Sequence, residues 1–215
     1  MITFSDARII IIAGGSFQGK STISLKLAAY FVMSGVLTTD IIRNILKVLN
    51  PDADYFSTST YLLSEELLQK QMNKVCSVIK ELIGIYQTRG EHIIIEGMHF
   101  SEEFISWASS QDFLNICLDN SLPLSKRIVL KGKTRSKLRF YDSLVDEYYF
   151  QKVDDSNVTN SSYLKYQNKI DQIHRILLHN CRLSDFHIIE FNNINQGIEL
   201  SIQEINSWLE YFAPK

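Results

Sequence analysis

Residues 8–13 read Arg-Ile-Ile-Ile-Ile-Ala, and the next eight are Gly14-Gly15-Ser16-Phe17-Gln18-Gly19-Lys20-Ser21. An unbroken β-branched run is the pattern of a strand buried on both faces, as in a parallel sheet with helices on either side. The octapeptide has the spacing G-x-x-x-x-G-K-S without a gap. Beyond it, apolar residues recur at helical intervals over residues 20–33 and stop at Gly35. The spacing follows from chemistry. Glycines let the backbone turn tightly, so that successive N–H groups converge on one anion. The helix behind them presents the positive end of its dipole to the same point. A strand–loop–helix unit that cradles phosphate is therefore expected, lined by Gly14, Gly15, Ser16, Phe17, Gln18, Gly19, Lys20, Ser21 and Thr22. Its ligand is a nucleoside triphosphate. On this reading Lys20 is expected to bridge the β- and γ-phosphates, Ser21 to ligate Mg²⁺, and Thr22 to add a contact to the α-phosphate.

The remaining punctuation is sparse, with three prolines and nine glycines in 215 residues. Further strands are predicted over residues 36–39, 92–95, 113–118 and 187–191. Helices are predicted over residues 41–49, about 61–88, 122–131, 140–151 and 198–212, with another ending near His179. Ser101 followed by Glu102 and Glu103 reads as a helix cap with acids in the first turn. Residues 51–60 and 154–162 are polar and read as loops. Five strands alternating with helices indicate one α/β domain over residues 1–215, a parallel sheet covered on both faces.

Composition narrows the class further. Twenty-two basic residues against twenty-four acidic ones give a net charge of −2, which excludes a globally cationic nucleic-acid coat. The 45% hydrophobic content excludes wholesale disorder. Cys76, Cys117 and Cys181 form no CxxC or Cys/His cluster, which points to a reducing compartment and no structural zinc. No apolar run has membrane length and no secretory signal opens the chain, so a cytoplasmic protein without a membrane partner is expected.

In phosphate-loop folds the ligands lie outside the carboxyl ends of the strands, and two carboxylates fall at such ends. Glu96 follows an apolar strand and should face Mg²⁺ directly or through water; a solvated strand end is the plainer reading. Asp40 is placed to accept a proton from an acceptor hydroxyl, or to cap the next helix. Arg43, three residues on, shares a helix face with Asp40. Together they suit an acceptor with a hydroxyl and an anionic group, or form a salt bridge within the helix. His99 lies just past Glu96, near the acceptor or on a surface loop. Lys126, Arg127, Lys131, Lys133, Arg135, Lys137 and Arg139 put seven cations into fourteen residues without an acid. Lying between the fourth and fifth strands, residues 126–139 read as a lid that closes over phosphates and neutralises developing charge. Thin aromatic interleaving argues against a nucleic-acid partner, and a solvated charge run is the bland alternative. Asn192 and Asn193, past the fifth strand, lie where a base is often contacted.

Four segments together carry a likeness: residues 14–22, Thr38-Thr39-Asp40-Ile41-Ile42-Arg43, Ser59-Thr60-Tyr61, and Ile93-Ile94-Ile95-Glu96-Gly97-Met98-His99. In this order they resemble archaeal-type 2-phosphoglycerate kinase, which has a Thr-Asp-x-Ile-Arg stretch, a Ser-Ser-Tyr element and an Ile-Ile-Glu-Gly-x-His strand end. Residues 163–181 are also similar to that family's helix after the lid. The resemblance implies a P-loop NTPase fold, three-layer α/β/α with a five-stranded parallel sheet of the nucleoside/shikimate-kinase type and a basic lid. It implies ATP and Mg²⁺, and transfer of the γ-phosphoryl group to the 3-hydroxyl of 2-phosphoglycerate. On that likeness Asp40, Arg43, Tyr61 and His99 line the acceptor pocket, while Arg127 and Arg135 grip phosphates. Lys20, Asp40 and Arg135 then form the catalytic set. Members of the family usually have an additional N-terminal regulatory domain, which is not expected here because the sequence opens almost at its first strand. Thr60 stands where the family has serine, Phe17-Gln18 replaces smaller residues in the loop, and the family's proline-containing continuation after His99 is absent. Two further readings stay open: a nucleoside, nucleotide-sugar or toxin-like kinase, with Tyr55, Phe56 and Tyr61 near a base, and an ATP-binding regulatory module.

Overall fold

The first strand runs where the β-branched residues put it. In the computed structural model, which describes residues 7–124, 126–127 and 166–211, β1 (Ile9–Ala13) is buried along its whole length. It is the middle strand of a five-stranded sheet of order β2-β3-β1-β4-β5, with β2 (Gly35–Thr38), β3 (Ile93–Gly97), β4 (Leu114–Asn120) and β5 (His187–Phe191). Every pairing is parallel. Alternation divides β1 between two cores. Ile9, Ile11 and Ala13 pack with α2 (Thr39–Leu49), α4 (Glu65–Arg89), α5 (Glu102–Ser109) and α6 (Gln167–Arg182). Ile10 and Ile12 pack with α1 (Lys20–Tyr30) and α7 (Ile194–Tyr211) on the other face. Five parallel strands with helices on both faces make the three-layer architecture expected from the sequence.

Boundaries differ from the expected ones for local reasons. Helix α1 stops at Tyr30 rather than at residue 33, because Val32 takes a left-handed conformation with φ 53°. Residues 51–60 are not all loop. Asp54–Ser57 form a helical turn, α3, whose Phe56 is 1% exposed, so one apolar anchor outweighs a polar neighbourhood. Helix α4 begins at Glu65 and not near residue 61, because the Ser64 side chain accepts the Leu67 N–H and Glu65 and Glu66 fill the first turn. Tyr61 lies instead in a 3₁₀ turn, Thr60–Leu62. The long helix ends at Gly90, in a left-handed C-cap with φ 66°, where the Arg-Gly signal placed it. Helix α7 starts at Ile194, four residues before the expected position, where the Asn193 side chain accepts the Gln196 N–H. The predicted helix 140–151, the loop 154–162 and most of the basic segment, Arg135 included, lie outside the described residues.

Candidate functional site: the phosphate loop and its rim

The register β1 to β3 pairs Ala13 with Gly97, so the loop leaving β1 emerges beside the end of β3. The Gly14 N–H bonds to the Gly97 carbonyl at 3.2 Å. Gly19 closes the loop in a left-handed conformation (φ 85°) immediately before α1, and a Cβ there would lie 2.5 Å from Ile194 Cδ1. Phe17 shares the left-handed region at φ 64°. Gln18 is buried, and its Oε1 accepts the Asn120 N–H at 2.6 Å. Its side chain therefore pins the loop to the end of β4. Lys20 Nζ donates to the Gly15 carbonyl at 2.9 Å.

Glu96 is buried, and its Oε1 accepts the Ser21 hydroxyl at 2.8 Å. The carboxylate closing β3 and the hydroxyl opening α1, singled out separately in the sequence as metal ligands, are thus in direct contact. A hydroxyl and a buried carboxylate oxygen are the hard donors that Mg²⁺ accepts, so the pair fits that ion.

The residues expected on the acceptor side gather on the other flank of β3. Asp40 occupies the first turn of α2 with its side chain 76% exposed, and Oδ1 lies 3.5 Å from His99 Nδ1. The cap of α2 is Thr38, whose hydroxyl accepts the Ile41 N–H, so Asp40 is free of that duty. The Arg43 guanidinium donates to the Thr58 carbonyl at 2.6 Å and to Asn44 Oδ1 at 3.2 Å, which ties α2 to the segment before Thr60. Tyr61 reaches the phosphate loop itself, its hydroxyl hydrogen-bonded to the Ser16 hydroxyl beside the Met98 sulfur.

His99 is not on a surface loop; it is 1% exposed. Its ring nitrogens meet Thr39 Oγ1 at 3.0 Å and Thr60 Oγ1 at 3.2 Å. The Thr60 proton goes to Gln71 Oε1 at 2.9 Å, because the Gln71 amide nitrogen is engaged with the Tyr55 carbonyl. The network therefore assigns the His99 proton to Nε2, donating to Thr60, and leaves Nδ1 to accept from Thr39. Burial drives the His99 pKa down to about 4; the Asp40 carboxylate opposes this, and Arg43 and Lys20 reinforce it. A neutral His99 ties β3, α2 and the 3₁₀ turn together, and Asp40 stands at the rim of that network.

Arg127 is 9% exposed, with Nη2 3.8 Å from Asp171 Oδ1 and a buried Nε that has no hydrogen-bond partner among the described residues. Burial lowers its pKa from the usual guanidinium value, against the pull of Asp171 and Asp119. Asn192 and Asn193 are exposed and engaged with each other and with Gln196 at the start of α7. Two residues not singled out in the sequence border the loop. Asp119 closes β4, and His174 projects from α6 between Asp119 and Gly15. The carboxylate-at-strand-end rule that selected Asp40 and Glu96 would also have selected Asp119. His174 interrupts a buried stripe of Ile170, Ile173 and Leu177, a pattern that sequence alone reads as core.

No family model matches the chain. It is 25% identical over 211 residues to the 2-phosphoglycerate kinase of Pyrococcus furiosus, covering 92% of this chain and 63% of that one. It is 27% identical over 161 residues to the 2-phosphoglycerate kinase of Pyrococcus horikoshii, covering 68% and 52% respectively. The chain thus spans less than two thirds of the length of these curated relatives. Among solved structures it is similar to shikimate kinase from Acinetobacter baumannii in complex with shikimate, with TM-score 0.52 and 14% identity over 97% of this chain and 96% of that one. Shikimate kinase from Bacteroides thetaiotaomicron gives TM-score 0.50 and 14% identity over 94% and 98%. The chain has the P-loop α/β fold of these kinases and a low-identity similarity to archaeal 2-phosphoglycerate kinase along most of its length.

Proposed function

We propose that this protein is an ATP-dependent small-molecule kinase, passing the γ-phosphoryl group to a hydroxyl of an anionic metabolite, with 2-phosphoglycerate the candidate acceptor. The observation that carries the proposal is the contact between Ser21 and Glu96 at the mouth of the phosphate loop, next to Lys20. The curated relatives' activity supports the acceptor. Mg²⁺ held by Ser21 and Glu96 would neutralise phosphate charge. Lys20 keeps one ammonium proton on the Gly15 carbonyl and turns the other two to the phosphates, which the loop N–H groups hold in place. Asp40 accepts the proton of the acceptor hydroxyl as the new O–P bond forms and the bond to the departing ADP breaks; its exposure lets the proton pass to water. Thr39, Thr60 and His99 keep the Asp40 turn in position. Arg43 and Arg127 offer guanidinium groups to the acceptor and phosphates, and Arg135 is assigned to neutralising the charge that develops in transfer.

The test is ³¹P NMR of the purified protein with Mg-ATP and an acceptor panel of 2-phosphoglycerate, glycerate, shikimate and nucleosides. A new phosphoester resonance with 2-phosphoglycerate alone supports the proposal. Transfer to nucleosides alone moves the assignment to a nucleoside kinase. ATP binding without transfer to any acceptor favours an ATP-binding regulatory module.

A further inference from the structure

The phosphate loop is held by a side chain that lies outside every phosphate-loop motif. His174 is buried in α6 and reaches the loop beside the carboxyl end of β4. Its Nδ1 accepts the Gly15 N–H at 3.1 Å, and its Nε2 lies 3.2 Å from Asp119 Oδ1. One neutral tautomer satisfies both contacts, with Nδ1 bare toward the amide and Nε2 protonated toward the carboxylate. That hydrogen bond holds the Asp119 carboxyl below its ordinary range, with Arg182 and Arg127 adding to the effect and burial opposing it. The approach is close: a Cβ on Gly15 would come within 2.5 Å of His174 Cβ. Gly15 therefore owes its lack of a side chain to the imidazole beside it. The same residue carries Lys20 at its other end, through the carbonyl that receives Nζ.

A Gly-Gly step is the most conformationally free dipeptide a chain can place at such a point, so an untethered loop would lose much entropy on ordering. We infer that His174, oriented by Asp119, is a positioning residue for Lys20: it fixes Gly15, and the Gly15 carbonyl fixes the place from which the ammonium group engages phosphate. The inference rests on the nucleotide reading of the loop and extends it to α6.

Mg-ATP affinity, measured by titration calorimetry for wild type, His174→Ala, Lys20→Ala and the double variant, tests it. The expected loss for His174→Ala is about tenfold, the size of one hydrogen bond. With Lys20 already alanine the further loss is less than about twofold, because residues acting through one another are not additive. His174→Asn retains most of the affinity, since its amide oxygen replaces Nδ1, while His174→Gln, whose amide reaches only toward Asp119, does not. This Asn/Gln pair decides the matter should His174→Ala fail to fold. Long-range ¹H–¹⁵N correlation of the histidine rings is expected to show a bare Nδ1 and a protonated Nε2 at residue 174. Unchanged affinity in the variants, or equal losses in both Lys20 backgrounds, reduces His174 to a packing residue and leaves the nucleotide reading intact. Wild-type protein with no affinity for Mg-ATP overturns that reading and this role together.

Discussion

Asp40 and His99 lie 3.5 Å apart, and their environments give them opposite duties. Asp40 is exposed and carries no capping bond of α2, which leaves it open to the proposed acceptor hydroxyl. Asp40→Asn should leave Mg-ATP affinity near wild type and lower phosphoryl transfer by about 100-fold or more. Single-turnover rates beside equilibrium binding separate the two, and an undiminished rate would remove Asp40 from the chemistry. His99 is enclosed, and its pKa falls from 6.5 to about 4 because burial penalises the charged ring. The unfolded chain therefore takes up this proton before the folded one does. The contribution to stability is fully present above pH 6.5 and is lost as pH falls toward about 4. Its size is on the order of 3 kcal/mol at most. Urea unfolding of wild type and His99→Gln from pH 7 to 4 checks the sign, with the steeper decline expected in wild type. The sequence offered both residues as candidates for the acceptor side, but did not reveal that one is solvent-facing and the other enclosed. That difference arises from Thr39 and Thr60, which meet His99 from α2 and the 3₁₀ turn, and from Gln71 of α4, which accepts the Thr60 hydroxyl.

At the scale of elements, what was legible followed from strong local signals. The β-branched runs, the glycines bounding the loop and the stop at Gly90 each carry their own physical cause. Misplaced boundaries occur where a tertiary contact or a single side chain decides, as with Phe56 in a Ser/Thr-rich stretch and Ser64 capping α4. Phe56 joins the core formed by α2, α4 and the sheet, so it anchors the segment that carries Thr58, Thr60 and Tyr61. Phe56→Ala should cost about 3–5 kcal/mol. Its chemical-denaturation midpoint is expected to fall accordingly. The pairing of Ser21 with Glu96 was legible because both positions are fixed by strand ends that a parallel sheet aligns. The pairing of Asp119 with His174 was not, because it depends on which turn of α6 faces the sheet.

For the molecule as a whole, strand order determines which parts share a fate. β1 has a partner on each side and a packed core on each face, while β2 lies at one edge with all four residues only partly buried. Local opening should therefore begin at β2 and α2 and reach β1 only in global unfolding. Hydrogen exchange monitored by mass spectrometry or NMR is expected to find the slowest amides at Ile10, Ile11 and Ile12, and markedly faster exchange at Val36 and Leu37. Comparable rates in the two strands would contradict this. The helix α2 that bears Asp40 and Arg43 also presents Ile41, Ile45, Val48 and Leu49 to solvent, an apolar flank that does little to secure it.

Suspending the nucleotide cradle from the central strand gives the two halves of the site unequal mechanical footing. The donor half is anchored to the part of the chain that yields last. The half that would select an acceptor is anchored to a border that yields first. If the proposed kinase activity holds, changes accumulating in β2, α2 and the turn at Tyr61 would alter which acceptor is taken without loosening the phosphate loop.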